Sequence, residues 1–465
     1  MKIRLFLIIL LSSLYTLCLG NNYNLKLKLK NCTANKVFLA HYFNGKVFIT
    51  DTTTINSLGE AIFSKDKKLH SGLYIIYLET KQYFDILIGE DQNFTIQTDI
   101  NAPIKNMKII VSDESAEFVK FQLFLAEQNI NKKEIISKNK DKNIQEKFLC
   151  GIDNKVREKI HNISQQYPNT ALTTFTTFSL EPIIPDYDKI LKKNVKNRKD
   201  SINKLQYFYN KNHYWDNANL NDSTLLRTPM LKSKLDIFFN KIIIPHPDTI
   251  FNEATKLIER SKHNKEMFRY MTSYCFNFTL NSKIMGMDNA FYKIAEEYYL
   301  SGKAYWATDT TISSIQEKIT KLKYSRIGEK AKDITLQNLD GEWINLYDIN
   351  KQLTVLVFWE PDCGHCKKII PLLKKEIADK YNDIEIIAIY IQNDKDKWIS
   401  FIEEHELYSF TNCYDPKNRS NYKSYYNITS TPMIYLLDKD KTIIAKKIDV
   451  NSLSNLIKNR LHTKP

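Results

Sequence analysis

Val355-Leu356-Val357-Phe358-Trp359-Glu360-Pro361-Asp362-Cys363-Gly364-His365-Cys366-Lys367-Lys368 is the stretch on which the reading of this chain turns. It opens on a continuous apolar run, reaching back to Thr354, of the kind that forms a strand buried on both faces. Beyond the cysteines, Ile369, Ile370, Leu372, Leu373 and Ile377 repeat at helical spacing. A Cys-X-X-Cys therefore lies between a buried strand and a helix start. There the unpaired N–H groups and the helix dipole favour a thiolate on the first cysteine. Cys363 is the expected attacking sulfur. Cys366, one helical turn inside and shielded, is placed to resolve a mixed disulfide. The pair is a redox-active disulfide in its own right and calls for no other cofactor. Gly364 leaves room for a substrate backbone. His365, when protonated, sets a cation near the Cys363 sulfur and makes the disulfide more oxidising.

Working outward, the pattern alternates strand and helix. Ile334–Leu336 and Trp343–Leu346 flank Asp340-Gly341, a hairpin signal. Ile384–Tyr390 reads as a second buried strand, followed by an amphipathic segment with Trp398, Phe401 and Ile402. Met433–Leu437 and Thr442–Ala445 form a strand pair, and Ser452–Leu461 a closing helix. This order predicts an α/β layered domain over 325–465. Upstream, 21–112 carries short alternating runs such as Leu25-Lys26-Leu27-Lys28-Leu29, separated by Asn-Gly, Gly-Glu and Ser-Gly turns, and predicts an antiparallel β domain. From 113 to 324 the period becomes helical, as in Phe118, Phe121, Phe124 and Leu125, and prolines punctuate separate helices. The fold class is thus multidomain: β, then mainly α, then α/β.

The segment around the cysteines resembles the active site of thioredoxin-fold proteins of the TlpA/ResA type. Three further features agree with that likeness: Pro371, five residues past the second cysteine; Thr431-Pro432 before the Met433 strand, similar to a cis-proline loop; and Gly328–Leu346, similar to the N-terminal hairpin of the related AhpC/TSA branch. The resemblance implies thiol:disulfide exchange, with Thr431 and Pro432 receiving an extended substrate segment. It also implies, slightly, a reductase fed by a membrane electron donor and preparing haem-binding cysteines of cytochrome c. The Gly-His dipeptide, shared with protein disulfide isomerases, implies an oxidant or isomerase instead. Two departures stand out. The acids that such proteins use to move protons fall at Val357 and Ile369, and Asp362 stands where thioredoxins carry Trp. Glu360 or Asp362 is left as a substitute, although an acid beside Cys363 also raises its pKa. Upstream, the β region and the segments around His213-Tyr214-Trp215, Leu225–Pro229, His246-Pro247-Asp248 and Met285–Asp288 resemble domains of unknown function that precede such modules.

Composition sets the surroundings. Charged residues at 26% and only 11 Gly and 12 Pro in 465 residues describe a folded chain. Lys2 and Arg4, the apolar run Leu5–Leu17 and then Gly20 read as a signal peptide over 1–20, too short for a spanning helix of about 20 residues. Periplasm or cell envelope is the expected location, with exported proteins bearing thiols or disulfides as partners. Lipid anchoring at Cys18 is disfavoured by Leu17, where a small residue is wanted. The net charge of +14 is spread along the chain without a nucleic-acid-binding motif, so a basic surface is expected rather than a nucleic-acid site. Oligomeric state is open. Other readings of the cysteines are a zinc site drawing on His405 and Cys413, a structural disulfide, and a peroxiredoxin-like peroxidase. The last wants Thr where Glu360 stands. A non-catalytic envelope binding protein, using the fold as scaffold, completes the alternatives.

Overall fold

A computed structural model describes residues 22–462, so the signal peptide expected over 1–20, with Cys18, lies outside the described residues. Eight strands open the chain: β1 (Tyr23–Lys30), β2 (Lys36–Phe43), β3 (Lys46–Thr54), β4 (Glu60–Lys65), β5 (Gly72–Leu78), β6 (Tyr83–Ile88), β7 (Asn93–Asp99) and β8 (Lys108–Ile110). They form two four-stranded sheets, ordered β4-β1-β7-β8 and β3-β2-β5-β6. Leu25, Leu27 and Leu29 of β1 are buried and alternate with exposed lysines, so the period-two pattern sets which face turns inward. The pairing is antiparallel except for β1 and β7, which run parallel from Asn24↔Asn93 to Lys30↔Asp99. Sequence patterning carries face but not direction, so this exception to an all-antiparallel reading was invisible in it.

Helices follow: α1 (Asp113–Lys138), α2 (Lys142–Gln166), α3 (Ala171–Phe178), α4 (Tyr187–Ile190), α5 (Arg198–His213), α6 (Met230–Ile237), α7 (Pro247–Arg260), α8 (Lys265–Leu280), α9 (Met287–Ile294) and α10 (Asp309–Leu322). Compactness divides the chain within this region, at Ile242. The reason is a shared core. Phe118 and Phe121 of α1, Ile160 and Ile163 of α2, and Leu172 of α3 pack against Leu73 and Leu87, from the sheet face opposite the β core. Each fully buried Phe is worth about 1.5–3 kcal/mol, which ties the first helices to the strands rather than to a separate helical body.

The second unit, from Ile243, ends in a seven-stranded mixed sheet ordered β10-β9-β13-β12-β11-β14-β15. Its strands are β9 (Thr335–Asn338), β10 (Trp343–Asn345), β11 (Leu353–Trp359), β12 (Ile384–Tyr390), β13 (Thr411–Tyr414), β14 (Met433–Leu437) and β15 (Ile443–Lys446). β11, β12 and β13 are parallel, β14 runs antiparallel to β11, and β15 pairs antiparallel with β14. The helices between them are α11 (Cys366–Leu373), α12 (Lys395–Glu404) and α13 (Tyr422–Tyr425), and α14 (Val450–His462) follows the last strand. Every residue of β11 is buried, as its unbroken apolar run requires: Val355, Val357 and Trp359 enter one core, Leu356 and Phe358 the other. Gly341, at φ +84, makes the tight turn between β9 and β10.

Candidate active site

The cysteine pair sits where the central strand β11 gives way to α11. The first helical hydrogen bonds run from Lys367 N–H to the Cys363 carbonyl, 3.1 Å, and from Ile369 N–H to that of His365, 3.0 Å. The Cys366 N–H donates to Cys363 Sγ at 3.4 Å. That is the bond an N-cap Ser or Asp oxygen accepts at a helix start, made here to sulfur. The Cys363 sulfur therefore accepts a backbone N–H of the first helical residue, just ahead of the N-cap His365 and at the positive end of the dipole.

Burial separates the two thiols. Cys363 is partly exposed, whereas Cys366 is fully enclosed in the core with Trp359 and Ile370. For Cys363 the largest single influence is burial, which opposes the thiolate. Hydrogen bonds from the Cys366 thiol and amide, the Thr431 side chain and the His365 amide outweigh it, and the Cys363 pKa lies below the ordinary thiol value. For Cys366 burial dominates and the proximity of Cys363 adds to it; hydrogen bonds from the Glu360 backbone and the Thr431 side chain oppose the rise only in part, and its pKa is pushed up to about 12.

The Thr431-Pro432 peptide is cis and lies alongside. β14 starts at Met433 opposite Phe358 of β11, which brings the preceding loop to the strand end bearing the cysteines. The Cys363 thiol donates to the Thr431 carbonyl at 3.4 Å. The Thr431 hydroxyl donates to Glu360 Oε1 at 2.7 Å, and the Gln392 side-chain amide donates to Glu360 Oε2. The structure thus brings together Cys363, Cys366, Thr431 and Pro432. His365 and Gly364 are exposed on the opening turn, and a Cβ at Gly364 would meet nothing within 4 Å. The protein's own packing does not demand glycine there.

Asp362 and Lys397 pair at 2.9 Å on the surface. Val357 lies in the core and Ile369 packs against it, so neither position carries an acid. Gln392 and Lys397 were not picked out from sequence. The signal was available for Gln392: β12 runs parallel to β11, with Trp359↔Tyr390, so the residues just past each strand end are neighbours. Lys397 comes from α12, whose approach no local pattern encodes.

Zinc finds no support in the geometry. Cys413 of β13 belongs to the core on the opposite sheet face from Cys366, and its thiol is pushed up to about 12 by burial. The His405 ring packs on Phe401 at 4.4 Å. At the position where a peroxidase-type site wants Thr, the Glu360 carboxylate is engaged by Thr431 and Gln392.

Comparison with known proteins matches residues 327–446 to the AhpC/TSA family and residues 161–326 to a domain of unknown function, DUF5106. A thioredoxin-like protein of Haemophilus influenzae is 25% identical over 142 residues, covering 30% of this chain and 80% of that protein. A thiol-disulfide oxidoreductase ResA of Bacillus thuringiensis subsp. konkukian is 29% identical over 131 residues, covering 28% of this chain and 73% of that protein. Among solved structures, a domain of a possible thiol-disulfide isomerase from Cytophaga hutchinsonii is 32% identical, covers 30% of this chain and 97% of that one, and has a TM-score of 0.28.

Proposed function

Because residues 327–446 belong to the AhpC/TSA family, as a thioredoxin-like domain homologous to ResA thiol-disulfide oxidoreductases, we propose that Cys363-Gly364-His365-Cys366 exchanges disulfides with exported proteins outside the cytoplasm. The observation that carries this reading is the contrast within the pair: a partly exposed, acidified Cys363 beside a buried Cys366 held at about 12. The Cys363 thiolate attacks a substrate disulfide. One sulfur becomes bonded to Cys363 and the other leaves as a thiolate that takes up a proton. Cys366 then loses its proton and attacks Cys363 Sγ, forming the Cys363–Cys366 bond and expelling the second substrate thiolate. Two electrons pass from the dithiol to the substrate, and the reverse sequence oxidises a dithiol. The open surface at Gly364 and the backbone of Thr431-Pro432 are the proposed seat of the substrate segment, and the apolar run Leu5–Leu17 supports export.

Reduction is the slightly preferred direction, with electrons from a membrane donor and haem-binding cysteines of cytochrome c among the substrates, as the TlpA/ResA-type resemblance implies. One observation favours oxidation or isomerisation instead: a lowered Cys363 pKa stabilises the dithiol. Equilibration with glutathione and dithiothreitol separates the two. A potential near about −270 mV supports the reductase, and one between roughly −180 and −120 mV the oxidant or isomerase. A pair that fails to cycle overturns both and leaves a binding protein on a thioredoxin scaffold.

A further inference from the structure

Resolution poses a chemical difficulty that the two thiols do not solve alone. Cys366 is buried with its pKa near 12, so at neutral pH its proton must be removed as it attacks. Two carboxylates stand near it in sequence, and the fold treats them differently. Asp362 turns outward to Lys397, in a pair whose side chains are 56% and 54% exposed. Glu360 turns inward. Its main chain touches both cysteines: the carbonyl accepts the Cys363 N–H at 3.4 Å, and the backbone hydrogen-bonds the Cys366 sulfur. Its carboxylate is held on one oxygen by Gln392 and on the other by the Thr431 hydroxyl at 2.7 Å. The Thr431 side chain also lies close enough to bear on the sulfurs of both cysteines. A hydroxyl donates once and accepts twice, so Thr431 can take a thiol proton while giving its own to Glu360.

We propose that Glu360 is the proton acceptor for the resolving thiol, reached through the Thr431 hydroxyl and held in place by Gln392. The assignment rests on the disulfide-exchange reading of Cys363 and Cys366. In the step, the Cys366 proton passes to Thr431 Oγ1 as the hydroxyl proton passes to Glu360 Oε1. The Cys366 thiolate then forms the S–S bond to Cys363, the bond from Cys363 to the substrate sulfur breaks, and the departing thiolate is protonated from Glu360. Glu360 ends as it began. In the oxidising direction the same path runs backwards and returns the proton to Cys366. Asp362 takes no part. Gln392 keeps Oε2 engaged, leaving Oε1 as the oxygen aimed at Thr431.

The test follows one turnover of the full chain. Reduced protein is mixed with oxidised glutathione, quenched in acid at intervals, and resolved by mass into dithiol, Cys363–glutathione adduct and Cys363–Cys366 disulfide. In Glu360→Gln, resolution of the adduct is expected to slow on the order of 100-fold at neutral pH, the range of a lost general base, so the adduct accumulates. Its rate should also climb about tenfold per pH unit as hydroxide takes over, whereas the wild-type rate stays much flatter. Thr431→Val breaks the relay without touching the carboxylate, and it should show the same slowing and the same steepened pH profile, even if Glu360→Gln folds poorly. Resolution in both variants within about threefold of wild type, with an unchanged pH profile, overturns the assignment. A wild-type chain that forms no adduct overturns the disulfide-exchange reading itself, which is a distinguishable result.

Discussion

Replacing Cys366 tests how the Cys363 thiolate is held. Burial works against that thiolate, and the Cys366 thiol provides the largest of the hydrogen bonds that overcome it. Cys366→Ala deletes this bond but keeps the backbone N–H of residue 366, which lies 3.4 Å from Cys363 Sγ. A hydrogen bond to a charged group contributes about 1.5–3 kcal/mol, and 1.36 kcal/mol corresponds to about one pH unit. Cys363 is partly solvated, so water replaces some of the loss and the lower end applies. The titration midpoint of Cys363 should therefore rise by about one pH unit in Cys366→Ala, and alkylation at neutral pH should slow about tenfold. Cys366→Ser keeps an O–H donor at nearly the same place, so its midpoint should lie between wild type and Ala. The assay is the pH dependence of iodoacetamide modification, read by mass, with thiolate absorbance as a check. Equal midpoints for Ala and Ser, or an Ala midpoint no higher than wild type, would refute the account and leave the helix start as the main source of the acidity.

Two further substitutions probe the framework. Lys446 is buried, pairs with Asp288 and donates to the Ser325 carbonyl at 2.7 Å; burial lowers its pKa and the Asp288 charge opposes that fall. Asp288→Asn should cost about 3–5 kcal/mol in urea unfolding at pH 7.5. The unfolded lysine stays protonated at pH values where the folded one is already neutral, so the deficit should shrink as pH rises toward 10, and a pH-independent loss would contradict this. In the first unit, a methyl at Gly89 would overlap the Glu114 carboxylate, which accepts the Leu172 N–H at 2.8 Å at the start of α3. Gly89→Ala should lower the urea midpoint by the equivalent of about 1–3 kcal/mol, and an unchanged midpoint would show that Glu114 has another rotamer to use.

What was legible in the sequence follows the range of the forces involved. β11, β12 and β14 are predominantly apolar runs, interrupted only by Thr354 and Glu385, whose burial on both faces leaves one reading, and their positions match expectation almost residue for residue. β13 is a different case. Thr411-Asn412-Cys413-Tyr414 is short and half polar, and it becomes a strand only because β12 and β9 offer edges on either side. Its propensity is supplied by neighbours. The parallel pairing of β1 with β7 is hidden for the same reason: the alternating leucines fix a face, while strand direction depends on what lies next to them in space.

The site shows the same division, and it bears on the sign of the chemistry. Strand, cysteines, helix and Thr431-Pro432 could be read because each is local. Whether Glu360 and Asp362 would raise the Cys363 pKa could not, since two residues of separation say nothing about where a side chain points. The fold answers by giving each carboxylate its own partners. Lys397 neutralises Asp362 at the surface, and Thr431 with Gln392 engages Glu360. Neither acid is among the leading influences on the Cys363 thiol, which are burial and the hydrogen bonds of Cys366, Thr431 and His365. The acids flanking the motif therefore do not cancel the effect of the helix start, and Cys363 remains the more acidic thiol of the pair. A carboxylate beside an acidified nucleophile is tolerated where other groups engage it, as Lys397 engages Asp362 and Thr431 with Gln392 engage Glu360. The inward turn of Glu360 toward the Thr431 hydroxyl provides that arrangement.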